Sequence, residues 1–177
     1  MKNTIAVYSS KPAVKGADFI EKAREVGVEL RFLALGGFIP HDPELGKRLH
    51  EVRGGASLLV GAFETDASIL AEFDKLVADG ERESVVTLLN AGQLPWCELY
   101  VGKFDYEATV KKKPKDKAGI DESVSARDLP ALKAARTRYI VDNQSRKKNG
   151  GLLVNAVAKL LATESEGVIA DYLRPSR

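Results

Sequence analysis

The sequence predicts an α/β protein: a doubly wound, mostly parallel sheet of four to five strands, flavodoxin-like or Rossmann-like, with a C-terminal helical extension. Three observations predict it. Short, nearly all-apolar runs recur along the first ninety residues, and apolar runs of that kind suit strands buried on both faces. Amphipathic stretches with helical spacing follow them, and glycines or capping residues stand at the junctions. Such alternation is the repeating unit of open α/β folds.

The elements follow in order. Thr4–Tyr8 (TIAVY) reads as the first strand and breaks at Ser9-Ser10-Lys11-Pro12. A helix is expected over about Val14–Val26, with Phe19, Ile20, Ala23 and Val26 on one stripe and Gly27 as its C-terminal stop. Val28–Leu35 is the second strand, ending in Gly36-Gly37-Phe38. Asp42 and Pro43 resemble the start of another helix, closed by Gly54-Gly55. Ser57–Val60 reads as a third strand, and after Gly61-Ala62-Phe63-Glu64-Thr65-Asp66 a helix carries Ile69, Leu70, Phe73, Leu76 and Val77 on one stripe. Ser84–Leu89 is the fourth strand and ends at Asn90-Ala91-Gly92.

Residues 1–94 are therefore expected to form the sheet domain. Residues 95–124 read as an irregular segment with a basic loop, Lys111–Lys117 (KKKPKDK). Residues 125–177 read as a helical extension packed on the same domain. Within it a helix from about Leu129 to Arg146 faces inward with Leu132, Ala135, Tyr139 and Ile140. Asn149-Gly150-Gly151 breaks that helix, and another carries Leu153, Val157, Leu160 and Leu161. The last segment, Gly167–Leu173, docks on the sheet or on a partner.

Composition narrows the function classes. The apolar run near the start, Ile5–Tyr8, is too short for a signal-peptide core or a membrane span, so a cytoplasmic protein without membrane contact is expected. A single cysteine, Cys97, excludes an internal disulfide and a Cys-rich metal site. His41 and His50 stand nine apart without an acidic or thiol cluster, so no metal site is expected. The net charge of +2 hides an asymmetry: residues 1–100 hold 11 Lys and Arg against 15 Asp and Glu, residues 101–177 hold 16 against 10. A basic half attracts acidic partners or a carboxylate-bearing small molecule. Nucleic acid is disfavoured, because the basic runs lack interleaved aromatics for base stacking.

Candidate binding residues lie where strands end, the place where open α/β sheets take ligands. They are Ser9, Ser10 and Lys11 behind the first strand, Gly36, Gly37 and Phe38 behind the second, Gly61, Phe63 and Glu64 behind the third, and Asn90 behind the fourth. Glycines admit a flat ligand close to the backbone, and phenylalanine offers a face to stack on. No Gly-rich phosphate fingerprint is present, and Pro12 removes one donor from any phosphate cradle at Ser9–Lys11. No catalytic grouping is visible, so no catalytic residue or cofactor is assigned.

The run ASLLVGAFETDASILAEFDKLV, the strand VVTLL, the Lys-rich KKKPKD, the stretch ALKAARTRYI, the Gly150-Gly151 break and the helix LLVNAVAKLL follow one another in an order that resembles the N-terminal head region of magnesium chelatase and cobaltochelatase large subunits. The resemblance implies a stand-alone module that binds a tetrapyrrole or docks on tetrapyrrole-pathway proteins, without independent activity. Two alternatives stand beside it: a Rossmann-like enzyme acting on a nucleotide or sugar-phosphate, and a basic interaction module for nucleic acid or protein.

Overall fold

The computed structural model describes residues 4–35, 67–79, 84–90, 96–110, 126–143 and 150–170. Its strands are β1 (Thr4–Ser9), β2 (Leu30–Leu35), β3 (Ser84–Asn90), β4 (Trp96–Lys103), β5 (Thr137–Asn143) and β6 (Val168–Ile169). Its helices are α1 (Gly16–Glu25), α2 (Ala67–Asp79), α3 (Tyr106–Val110), α4 (Leu129–Ala134) and α5 (Gly150–Glu164). The strands form one sheet in the order β2-β3-β4-β5-β1-β6. Every pairing in it is antiparallel.

This corrects the expected architecture. The sheet is neither parallel nor doubly wound, and the flavodoxin-like and Rossmann-like readings fall with it. β1 and β2 are not neighbours: β1 lies between β5 and β6, and β2 sits at the sheet's far end. Besides the two-residue β6, which lies in the expected helical extension, two strands come from stretches read otherwise. β4 lies in the segment read as irregular, and β5 occupies the second half of the expected helix from Leu129 to Arg146.

Local chemistry explains both strands. In β4, Cys97, Leu99 and Val101 point into the core and alternate with Glu98, Tyr100 and Gly102. In β5, buried Thr137, Tyr139 and Val141 alternate with partly exposed Arg138, Ile140 and Asp142. A period of two with β-branched residues favours a strand, and Ala135 ends α4 in an extended conformation two residues before β5 begins.

The helices α1, α2 and α5 cover one face of the sheet. Their buried side chains, Phe19 and Ala23 from α1, Phe73 from α2, and Leu153, Val154, Val157, Ala158, Leu160 and Leu161 from α5, join Ile5, Val7, Leu99, Val101, Tyr139 and Val141 in the main core. Burying each large aliphatic side chain is worth about 1.5–3 kcal/mol. On the opposite face a smaller cluster gathers Ala6, Tyr8, Phe104, Leu132, Ala135 and Ala170. The Tyr8 and Phe104 rings meet edge to face, with centroids 4.8 Å apart. So β1 is apolar on both faces because two clusters sandwich it, not because it lies in a parallel sheet.

Two helix ends are closed by the same hydrogen-bond pattern. At the end of α1, the Val28 N–H donates to the Ala23 carbonyl and the Gly27 N–H to that of Arg24, with Gly27 at φ 79°. At the end of α5, the Gly167 N–H donates to the Ala162 carbonyl and the Glu166 N–H to that of Thr163, with Glu166 at φ 50°. This is the Schellman cap, which wants glycine in the left-handed position. Glu166 occupies it in α5, where its carboxylate reaches the Lys11 ammonium at 2.8 Å.

The buried Cys97 thiol gives a test of the packing. Burial raises its pKa well above the ordinary thiol value, and the nearby Asp142 and Glu98 push the same way. The native protein should not react with a disulfide reagent at mildly alkaline pH, and the thiol should react fully in denaturant. Rapid reaction of the native protein would show that β4 does not turn Cys97 inward.

Candidate functional site

One cleft of about 680 Å³ opens where the C-terminal ends of β1 and β4 meet the start of β5. That volume lies within the usual range for small-molecule sites, roughly 300–1,000 Å³. Its wall is built by Ser10, Pro12–Lys15, the second half of α2 through Asp74, Val77 and Ala78, the end of β4 from Val101 to Asp105, and Arg136 and Thr137.

The loop from Lys11 to Lys15 is held by side chains of β5. The Thr137 hydroxyl donates to the Lys11 carbonyl at 2.7 Å, and the Val14 N–H donates to the Tyr139 hydroxyl oxygen at 2.9 Å. Burial raises the Tyr139 pKa, opposed by its bond from Val14, so the phenol stays neutral. The strand ends are tied as well: the Arg136 N–H donates to the Ser9 carbonyl and the Phe104 N–H to the Arg136 carbonyl. The cleft is therefore formed in advance of any occupant.

Replacing Tyr139 with Phe removes the acceptor for the Val14 N–H. It should cost about 1–2 kcal/mol and speed hydrogen exchange at the Val14 amide selectively. Unchanged exchange at Val14 would show that the loop is held by other means.

Charge is unevenly committed around the cleft. Asp74 reaches across from α2 to accept the Gly16 N–H at 2.8 Å, capping α1, whose own preceding residue, Lys15, makes no side-chain cap. Asp105 accepts the Ala108 N–H at 3.1 Å at the start of α3. Both carboxylates thus neutralise helix N-termini. The cations Lys15, Lys103 and Arg136 are exposed, and none forms an ion pair among the described residues. Elsewhere Lys11, Lys22 and Arg24 each pair with a glutamate.

The expected binding residues are only partly brought together. Ser10 lines the cleft. Ser9 is buried, and its hydroxyl donates to the Ser165 carbonyl at 2.6 Å and accepts the Lys11 N–H, so it joins β1 to the turn after α5. Lys11 is held by Glu166. Asn90 lies at the other end of the sheet, opposite Leu30, about 26 Å along the strands from Lys103. Antiparallel pairing sends alternate strand ends to opposite sides, so strand-end residues cannot all converge as they would in a parallel sheet. Gly36, Gly37, Phe38, Gly61, Phe63 and Glu64 lie outside the described residues, as do His41, His50 and the basic loop Lys111–Lys117.

Residues not singled out in the sequence, among them Lys15, Lys103, Phe104, Arg136 and Thr137, line the cleft beside Ser10. They stand far apart in the chain and share no motif. The register that sets Lys103 opposite Thr137 joins those of β4 and β5, and the bond from Val14 to Tyr139 brings in the loop with Lys15.

Among the described residues no group of His, Cys, Asp and Glu is arranged to hold a metal ion, and no helix is long and apolar enough to cross a membrane. Comparison with protein-family models, with curated proteins and with solved structures finds no match. The likeness to chelatase large subunits gains no support from them.

Proposed function

We propose that the chain is a small-molecule-binding module whose ligand occupies the cleft between the ends of β1, β4 and β5. The observation that carries this reading is a cleft of ligand size whose loop is fixed by Tyr139 and Thr137. Preorganisation matters because ordering a loop on binding consumes affinity. Pro12, Ala13, Val14, Val77, Ala78, Val101 and Phe104 supply apolar wall, and burial of apolar ligand surface there drives association.

The test uses the neutral fluorophore N-phenylnaphthylamine, which brightens on entering an apolar site. The wild-type protein should bind it saturably. Ala78 is exposed and lines the cleft, so Ala78→Trp should fill part of the space without unfolding the protein. Binding should weaken about tenfold or more, equivalent to roughly 1.4 kcal/mol, while the melting temperature holds. Equal binding by wild type and Ala78→Trp would place the probe elsewhere and overturn the reading.

A further inference from the structure

We infer that the ligand of this cleft carries an oxyanion, a carboxylate or a phosphate, at the end of its apolar body. This rests on the cleft being the ligand site. Three cations line it from separate elements. Lys15 stands at the start of α1, Lys103 ends β4 and Arg136 leads into β5. Lys103 is opposite Thr137 in the β4–β5 register, so it lies one residue from Arg136 across the sheet end.

Among the described residues neither acidic side chain of the lining forms an ion pair with these cations, and each accepts a backbone N–H at a helix start instead. Cations beside apolar wall attract an anion more strongly than the same charges in open water, since the wall lowers the local dielectric. Arg136 presents a planar fork suited to two oxygens of one head group, and Lys103 and Lys15 supply point charges.

The capping of α1 also sets where the head goes. The helix N-terminus would itself favour an anion, but the Asp74 carboxylate already holds the Gly16 N–H there. The head group therefore belongs beside Lys103 and Arg136, with the apolar body running towards Val77 and Ala78. A neutral ligand of the same body would leave the three cations without an ion pair among the described residues.

A matched pair of probes tests this. Anilinonaphthalene sulfonate and N-phenylnaphthylamine share an aromatic body and differ by one anionic group. The sulfonate should bind the wild-type protein about tenfold more tightly or better, the size of one charge-assisted contact. In the double variant Lys103→Glu/Arg136→Glu the ratio of sulfonate to neutral-probe affinity should fall to about one or below. Added salt should reduce the wild-type ratio as well.

Equal binding of both probes to the wild type would overturn the oxyanion and leave the cleft reading standing. Binding of neither would overturn both. A sulfonate preference that survives the double variant would overturn the placement at Lys103 and Arg136. Competition then separates the sources. Decanoate and decyl phosphate should each displace the sulfonate probe better than decanol, and the stronger of the two names the preferred head. Equal displacement by decanol would again overturn the proposal.

Discussion

Phe19→Ala should destabilise the protein by about 3–5 kcal/mol, the usual cost of emptying a buried aromatic site. Phe19 is 2% exposed and belongs to the main core, where α1 meets the sheet and its neighbouring helices. Natural domains have only about 5–15 kcal/mol in hand, so the loss should be plain as a lowered urea midpoint. The site should suffer with it. α1 begins directly behind the loop that lines the cleft, and its first N–H is the one capped by Asp74. Val26→Ala, at a side chain 65% exposed at the end of the same helix, provides the control and should change stability by less than about 0.5 kcal/mol. Equal effects from the two variants would show that α1 turns a different face to the sheet.

Gly167→Ala should cost about 2–3 kcal/mol, although it adds a single methyl group. A Cβ at Gly167 would stand 2.6 Å from the Tyr8 carbonyl oxygen and 2.9 Å from the Ser165 hydroxyl. The Tyr8 carbonyl belongs to β1, which is hydrogen-bonded to β5 on one side and β6 on the other. It has little freedom to retreat. Ser165 is equally constrained, since its hydroxyl donates to the Leu161 carbonyl and its own carbonyl accepts from Ser9. Relief must come from moving β6, with weakening of the Ala170 N–H bond to the Ala6 carbonyl. Faster hydrogen exchange at Ala170 should therefore accompany the lowered urea midpoint. A change within about 0.5 kcal/mol would mean that the turn after α5 does not press on β1.

Much of the local structure was legible in the sequence. The strand at Thr4–Tyr8, the helix closed by Gly27, and the strand beginning at Ser84 all stand where their patterns put them. The pairing was not legible, and it decides the fold. TIAVY is apolar throughout, and such a run fits a strand of a parallel sheet. It equally fits an antiparallel strand covered by α5 on one face and by Phe104, Leu132 and Ala135 on the other.

The stretch ALKAARTRYI illustrates a second ambiguity. Leu132, Ala135 and Tyr139 fit one helical stripe, yet Thr137, Tyr139 and Val141 fit an alternating strand, and cross-strand pairing to β1 and β4 settles the matter. A tertiary contact of that range leaves no local trace. The same holds for the cleft. Ser10 was reachable as a strand-end residue, whereas Lys103 and Arg136 come to one sheet end only through the β4–β5 register, and Lys15 joins the same cleft through the loop held by Tyr139.

The most direct measurement is an amide chemical-shift map of the protein titrated with anilinonaphthalene sulfonate. Shifts should concentrate at Ser10–Lys15, Val101–Asp105 and Arg136–Thr137, three stretches that only this antiparallel sheet brings to one cleft. Shifts centred instead on Asn90 and the opposite end of the sheet, or spread evenly along the chain, would contradict the account.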